Sequence, residues 1–153
     1  LGERLAAQAI ALLEAAEPRT PGMAQMAREE LPLPPARVRL GRLSLPRWLS
    51  RRLVDDDATL SLAVIGDIVW LGVPCDLTAD LGRELKNAAS TRGLQPVVVG
   101  FTNDYIGYCL PEALYESGTY EASMAFNGLK TGRLVVNRLI EMMDQLVMSD
   151  EEP

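Results

Sequence analysis

The order of elements in the middle of the chain constrains the fold more than any other feature of the sequence. Two apolar, β-branched runs, Thr59 to Val64 and Ile68 to Val73, are separated by the turn-forming pair Gly66-Asp67, which predicts a hairpin. Helical spacing of apolar residues predicts a helix over residues 79–92, and a short buried strand follows within residues 95–101. A strand, a helix and a second strand in this order predict a crossover, with both strand ends at one edge of a sheet.

Both ends of the chain carry helical patterns. Apolar residues recur at helical spacing over residues 3–16, and the strongest stripe in the chain lies around Val136 to Val147. We therefore expect a mixed α/β fold, in which a small β-sheet with a strand-helix-strand crossover is packed by an N-terminal and a C-terminal helix. Residues 1–153 form either a single domain or a fragment of a larger domain.

The segments around the predicted sheet are less regular. Five prolines within residues 17–36 predict an extended, Pro-rich arm, and alternation over residues 37–45 predicts a strand. Gly132 and the pair Asn127-Gly128 predict turns before the last helix. Residues 149–153 form an acidic tail.

Composition excludes several classes of function. The 153 residues include no histidine, so catalytic triads, Cys-His pairs and histidine zinc sites cannot be built within this chain. No apolar run approaches the roughly 18 residues of a membrane helix, because Asp67 interrupts the longest candidate. The net charge of −6 argues against nucleic-acid binding, although six arginines fall between positions 37 and 52.

A series of short motifs in residues 64–121 gives more specific information about function than the composition does. The motifs are Val64-Ile65-Gly66-Asp67-Ile68-Val69, Gly72-Val73-Pro74-Cys75-Asp76-Leu77-Thr78, Val97 to Gly100, Asn103-x-Tyr105-x-x-Tyr108 and Tyr120-Glu121. In order and approximate spacing they resemble the late part of the catalytic domain of neutral/alkaline ceramidases.

The resemblance implies a zinc-dependent amidase that cleaves the N-acyl bond of a sphingolipid. Its metal ligands would be two histidines, one carboxylate and one tyrosine, and the last two correspond here to Asp76 and Tyr108. Asp76 is one methylene shorter than the family's Glu, and Cys75 replaces a Gly. From the residues alone, Asp76 is equally well explained as a helix cap and Tyr108 as a core aromatic.

Other residues near these two positions have weaker assignments. Asn103, Tyr105 and Glu121 would shape the site or support the ligands, although Glu121 is as readily explained as a solvated side chain. Cys75 and Cys109 form a candidate thiol pair, either as two buried free thiols, which is the default, or as a bridge.

These observations predict a C-terminal segment of a ceramidase-like hydrolase that is inactive alone. The family's histidines and serine would lie in a missing N-terminal part of the same domain, since the chain begins with Leu1 rather than Met. Zinc would be a cofactor of the longer parent only, and its substrate a lipid-like amide. The alternative is a non-catalytic binding or assembly module, including a homo-oligomer. By resemblance the parent would act outside the cytosol, in an extracellular or periplasmic space.

Overall fold

The computed structural model describes residues 1–17, 22, 24–40 and 43–148. The predicted acidic tail at 149–153 and parts of the predicted Pro-rich arm lie outside these residues. Among the described residues, no helix combines the length and the apolar content that crossing a bilayer requires.

Thirteen helices and strands make up the described structure. In chain order they are α1 (Gly2–Ala15), β1 (Ala24–Pro32), β2 (Arg39–Leu40), β3 (Leu43–Ser44), α2 (Arg47–Leu53), β4 (Asp57–Ile65), β5 (Ile68–Gly72), β6 (Asp76–Leu77), α3 (Ala79–Ser90), β7 (Gln95–Val99), β8 (Tyr108–Cys109), α4 (Tyr120–Ser123) and α5 (Thr131–Met148). A single 3-10 turn covers Glu112–Leu114.

The main sheet has four strands in the order β1-β4-β5-β7. β4 and β5 form the predicted antiparallel hairpin, and Gly66 turns between them with a positive φ of 61° that glycine adopts without strain. β5 pairs with β7 in parallel, and α3 connects these two strands. The predicted mixed α/β fold with a strand-helix-strand crossover is therefore confirmed.

One face of this sheet carries the core. Side chains alternate between the two faces along each strand, so that Leu60 and Leu62 of β4 and Leu71 of β5 share one face and are fully buried. α3 and α5 cover that face with apolar residues that include Leu85 and Leu139. The predicted C-terminal helix therefore closes the core.

The N-terminal helix forms as predicted, but it does not pack as predicted. No residue of α1 is buried, and Leu12 and Leu13 are 73% and 77% exposed. The helix-covered face of the sheet is already occupied by α3 and α5, so α1 has no place in that core. The expectation that both terminal helices pack the sheet is therefore wrong for α1.

The predicted Pro-rich arm is partly a strand. Residues Ala24–Pro32 form β1, which pairs antiparallel with β4 over nine residue pairs. The window between Gly22 and Leu31 contains no proline, and Pro32 stands at the end of an edge strand, where a missing N–H costs little. The sequence prediction was wrong here because it averaged proline content over the whole of residues 17–36.

Two further predictions need correction. The segment 37–45 forms the short pair β2 and β3 rather than one strand, and the helix α2 after it was not predicted. Gly132 lies in the first turn of α5 rather than in a loop turn. A Cβ at Gly132 would lie 2.5 Å from the Leu110 carbonyl oxygen, so glycine permits the close approach of α5 to that loop.

Candidate functional site

The candidate site is built on a short parallel ladder between β6 and β8. Asp76 lies opposite Tyr108, and Leu77 lies opposite Cys109. The ladder begins at the end of the main sheet, where the Ile106 N–H donates to the Pro74 carbonyl oxygen at 2.9 Å. The Asp76 N–H then donates to the Gly107 carbonyl oxygen at 3.0 Å. The backbone after β5 is therefore joined to the loop after β7.

The ladder brings the predicted carboxylate and phenol together on one side. Asp76 and Tyr108 are register partners, and both side chains are half-buried. A hydrogen bond with the Asp76 carboxylate, followed by burial, raises the pKa of Tyr108 above its ordinary value of 10. At neutral pH the phenol is therefore protonated.

This placement disfavours one of the two purely structural explanations, the helix cap. The residue at the N-cap of α3 is Thr78, and no side chain makes a cap hydrogen bond there, so Asp76 does not act as the cap. Tyr108 packs against a second, smaller cluster of buried residues, Leu110, Tyr115, Ala122 and Ala125. The explanation of Tyr108 as a core aromatic therefore stands beside its register pairing with Asp76.

Cys75 and Cys109 lie on the opposite side of the same ladder. Both are free thiols and fully buried. A hydrogen bond between the two thiols, together with burial, raises the pKa of Cys75, so this thiol stays protonated at neutral pH. The side chain that replaces the family's glycine therefore enters the core and leaves the side of Asp76 free.

The loop between β7 and β8 has strained backbone positions. Phe101 and Asn103 have φ values of 56° and 68°, a region that residues with a side chain rarely adopt. Asn103 donates from Nδ2 to the Ser61 hydroxyl at 3.2 Å, and Asp104 accepts from the Thr59 N–H at 2.6 Å. These two hydrogen bonds join the loop to β4.

Aromatic rings surround the pair. Tyr120, at the start of α4, meets the Tyr108 ring edge-on with centroids 6.0 Å apart. Tyr105 is 52% exposed, and burial, then the neighbouring Tyr120 and Asp76, raises its pKa. Glu121 is exposed in the first turn of α4, and no hydrogen bond joins it to the pair. The sequence did not single out Phe101 or Tyr120 as site residues.

The donor atoms fit part of a zinc site. A carboxylate and a phenol on adjacent strands are both oxygen donors that bind zinc when deprotonated, and a bound cation would reverse the rise in the phenol's pKa. Within the described ranges, no cluster of three or more His, Cys, Asp or Glu side chains could hold a metal ion. Of the four ligands that the resemblance implies, this chain would supply two.

Two curated fly proteins resemble the chain in sequence. It is 29% identical over 124 residues to the neutral ceramidases of Drosophila pseudoobscura pseudoobscura and Drosophila melanogaster. This chain is related to the neutral ceramidases. The match covers 76% of the chain and 17% of each fly ceramidase, so the chain spans about a sixth of their length. No family model matches the chain.

Solved ceramidase structures share the fold. The neutral ceramidase from Pseudomonas aeruginosa superposes with a TM-score of 0.63 at 17% identity, covering 82% of this chain and 28% of that one. A ceramidase complexed with C2 gives a TM-score of 0.53 at 22% identity, covering 61% of this chain and 15% of that one. At these identities the ceramidase structures support the fold alone.

Proposed function

We propose that this chain supplies the carboxylate and tyrosine wall of a zinc-dependent amide hydrolase of the ceramidase type. The observation that carries the proposal is the register pairing of Asp76 with Tyr108, which places a carboxylate and a phenol on the same side of the ladder in neighbouring strands. Relatedness to neutral ceramidases names the substrate class, an N-acyl amide of a lipid.

Each side chain has a defined task in this proposal. Asp76 and Tyr108 would hold the zinc ion together with two imidazoles from another part of the protein. Bound zinc supplies a Lewis acid that polarises an amide carbonyl and acidifies water. The register pairing keeps the two residues next to each other, so both would be available before the remaining ligands bind.

The two departures from the family pattern have different consequences. Cys75 has its thiol in the core beside Cys109, so it does not obstruct the side on which Asp76 lies. Asp76 is one methylene shorter than Glu, a difference of roughly 1 Å against a zinc tolerance of about 0.2 Å. The backbone of β6 must therefore lie closer to the ion than a glutamate would require.

The first experiment uses the 153-residue chain itself. Two oxygen ligands without imidazoles hold zinc weakly, so we expect no saturable zinc binding at about 10 µM in a calorimetric titration. We also expect no hydrolysis of a short-chain N-acylsphingosine. Tight stoichiometric zinc binding, or turnover, by this chain would contradict the half-site.

The second experiment uses the protein as its gene encodes it. Asp76→Asn and Tyr108→Phe should each lower kcat for a short-chain N-acylsphingosine by about 100-fold or more and reduce bound zinc. Asp80→Asn is the matched control, since Asp80 is an exposed carboxylate in the first turn of α3 whose partner is Arg83. It should change kcat by less than about 2-fold. Equal effects at Asp76 and Asp80 would reject the assignment.

The alternative is a binding or assembly module that keeps the ceramidase-like scaffold without chemistry. It predicts that the encoded protein contains no bound zinc and does not hydrolyse a short-chain N-acylsphingosine, with or without Asp76→Asn. Metal analysis of the purified protein therefore separates the two functions before any assay is attempted.

A further inference from the structure

An aromatic pair stands out on the surface beside the candidate site. The rings of Phe101 and Tyr105 stack with centroids 5.5 Å apart and an interplanar angle of 21°. Phe101 is 61% exposed and Tyr105 is 52% exposed. The pair, called the aromatic shelf below, therefore presents apolar area to solvent, whereas the main core could have buried these rings.

The backbone holds the shelf in this position at an energetic cost. Phe101 and Asn103 both have positive φ. This backbone conformation is unfavourable for any residue that carries a side chain. The cost is offset by anchors on the neighbouring strand, since Asp104 accepts the Thr59 N–H and Asn103 reaches Ser61. A strained backbone that displays two aromatic rings is typical of a binding loop.

The shelf is continuous with the carboxylate and phenol. The Phe101 N–H meets the Cys75 carbonyl oxygen at 3.4 Å, one residue before Asp76. The Ile106 N–H, next to Tyr105, donates to the Pro74 carbonyl oxygen at 2.9 Å, and the Tyr120 ring meets the Tyr108 ring edge-on. A molecule whose polar group meets Asp76 and Tyr108 can therefore lay an adjacent apolar part on the shelf.

We propose that Phe101 and Tyr105 hold the acyl chain of the amide substrate and thereby set its chain-length preference. The identity of the group that binds the shelf rests on the function proposed above, because that function places an amide at Asp76 and Tyr108. Stacked rings offer a flat apolar surface without a charge, which suits a flexible hydrocarbon chain better than a charged headgroup. Removing the rings should therefore make the binding affinity less dependent on the length of the acyl chain, and it should leave the polar contacts unchanged.

The test measures binding of octanamide and butanamide to the 153-residue chain by NMR titration. For the unaltered chain we expect octanamide to bind about 5-fold more tightly than butanamide, because part of the longer chain leaves water. In the double variant Phe101→Ser, Tyr105→Ser this ratio should fall to about 1. The Thr59 amide signal reports whether the Asp104 anchor, and hence the loop, remains in place.

Two further variants sharpen the result. Trp48→Ser removes an aromatic ring that is 69% exposed on α2, and it should leave the octanamide-to-butanamide ratio unchanged. Tyr105→Leu keeps apolar area without the hydroxyl and should keep the ratio within about 2-fold of the unaltered chain. A ratio that survives the double variant, or that Trp48→Ser lowers equally, overturns the proposal. Loss of the ratio in Tyr105→Leu would also overturn it, by pointing to the hydroxyl.

Failure of the shelf and failure of the proposed hydrolase give different results. If the ratio responds to the shelf variants but Asp76→Asn leaves turnover of the encoded protein intact, the shelf stands and the zinc assignment fails. If Asp76→Asn abolishes turnover while the shelf variants leave the octanamide-to-butanamide ratio unchanged, the hydrolase proposal is supported and the shelf proposal is rejected.

Discussion

The main sheet and the β6–β8 ladder are built on different principles. β1 and β4 pair over nine residues, and the core side of the sheet is covered by α3 and α5. The ladder has two residue pairs, and the loop that leads into it contains positive φ values at Phe101, Asn103 and Gly107. The stability of the sheet is therefore distributed over many apolar contacts, whereas the geometry of the ladder depends on a few backbone positions.

This difference explains where the candidate site lies. Each side chain in the core of the sheet can be exchanged for another of similar volume at modest cost. At the ladder, a shift of one strand by one residue would pair Asp76 with Gly107 or Cys109 and move its side chain to the side away from Tyr108, because successive side chains point to opposite sides. The candidate site therefore lies where the register of two strands determines which side chains are neighbours.

The largest effect is expected where the ladder depends on one glycine. Gly107 has a φ of 84°, and a Cβ there would lie 2.1 Å from the Met124 carbonyl oxygen and 2.8 Å from the Phe126 ring. Gly107→Ala should lower the free energy of unfolding by about 3 kcal/mol or more, from strain and overlap together. Denaturant unfolding measures the loss, and the Asp76 amide signal should shift because its acceptor is the Gly107 carbonyl.

A glycine in the other region provides the control. Gly82 lies within α3, and a Cβ built on it meets nothing within 4 Å. Gly82→Ala should raise the free energy of unfolding by up to about 1 kcal/mol, because alanine favours the helix. If both alanines change stability by the same sign and amount, the ladder has no special dependence on Gly107.

The parts of the fold that the sequence predicted are those with a local signal. The hairpin around Gly66, the helix α3 and the helix α5 follow from side-chain periods over a few residues. The strand β1 was missed because its partner β4 lies some thirty residues away and the prolines around it dominated the pattern. The exposure of α1 was also unpredictable, because a helical stripe does not say which surface covers it.

The site was predictable to a similar extent. The two strand ends predicted at one edge of the sheet are present, and the short β6–β8 ladder that follows them pairs Asp76 with Tyr108. Their role as zinc ligands stays a prediction. Phe101 was missed because a phenylalanine in the sequence does not predict a positive φ. Tyr120 was missed because its contact with Tyr108 depends on the path of the loop before α4.

A smaller effect separates backbone strain from ring contacts in the loop. Phe101→Gly and Phe101→Ala both remove the ring, but only glycine adopts a φ of 56° without strain. The glycine variant should therefore be more stable than the alanine variant by about 1 kcal/mol, measured by denaturant unfolding. Equal stabilities would show that the loop relaxes to negative φ once the ring is gone, and would remove the argument that the backbone displays the shelf.

The smallest expected effect on stability comes from the titration of Tyr108, which also reports directly on the candidate site. Its pKa is raised in the folded chain by the Asp76 carboxylate, so between pH 10 and this raised value the folded state binds more protons than the unfolded state. The interaction therefore stabilises the fold fully below pH 10, and the stabilisation disappears as pH rises through the folded pKa.

Asp76→Asn tests this assignment. The variant removes the charge, so the pKa of Tyr108, followed by NMR of its ring, should fall towards 10, and the loss of stability at alkaline pH should become shallower. Asp80→Asn alters a carboxylate paired with Arg83 and should leave the pKa of Tyr108 unchanged. A Tyr108 pKa insensitive to Asp76→Asn would mean that the two oxygens are not in contact in solution. The ladder would then be only a structural connection between the main sheet and α3, with no prearranged pair for an ion to bind.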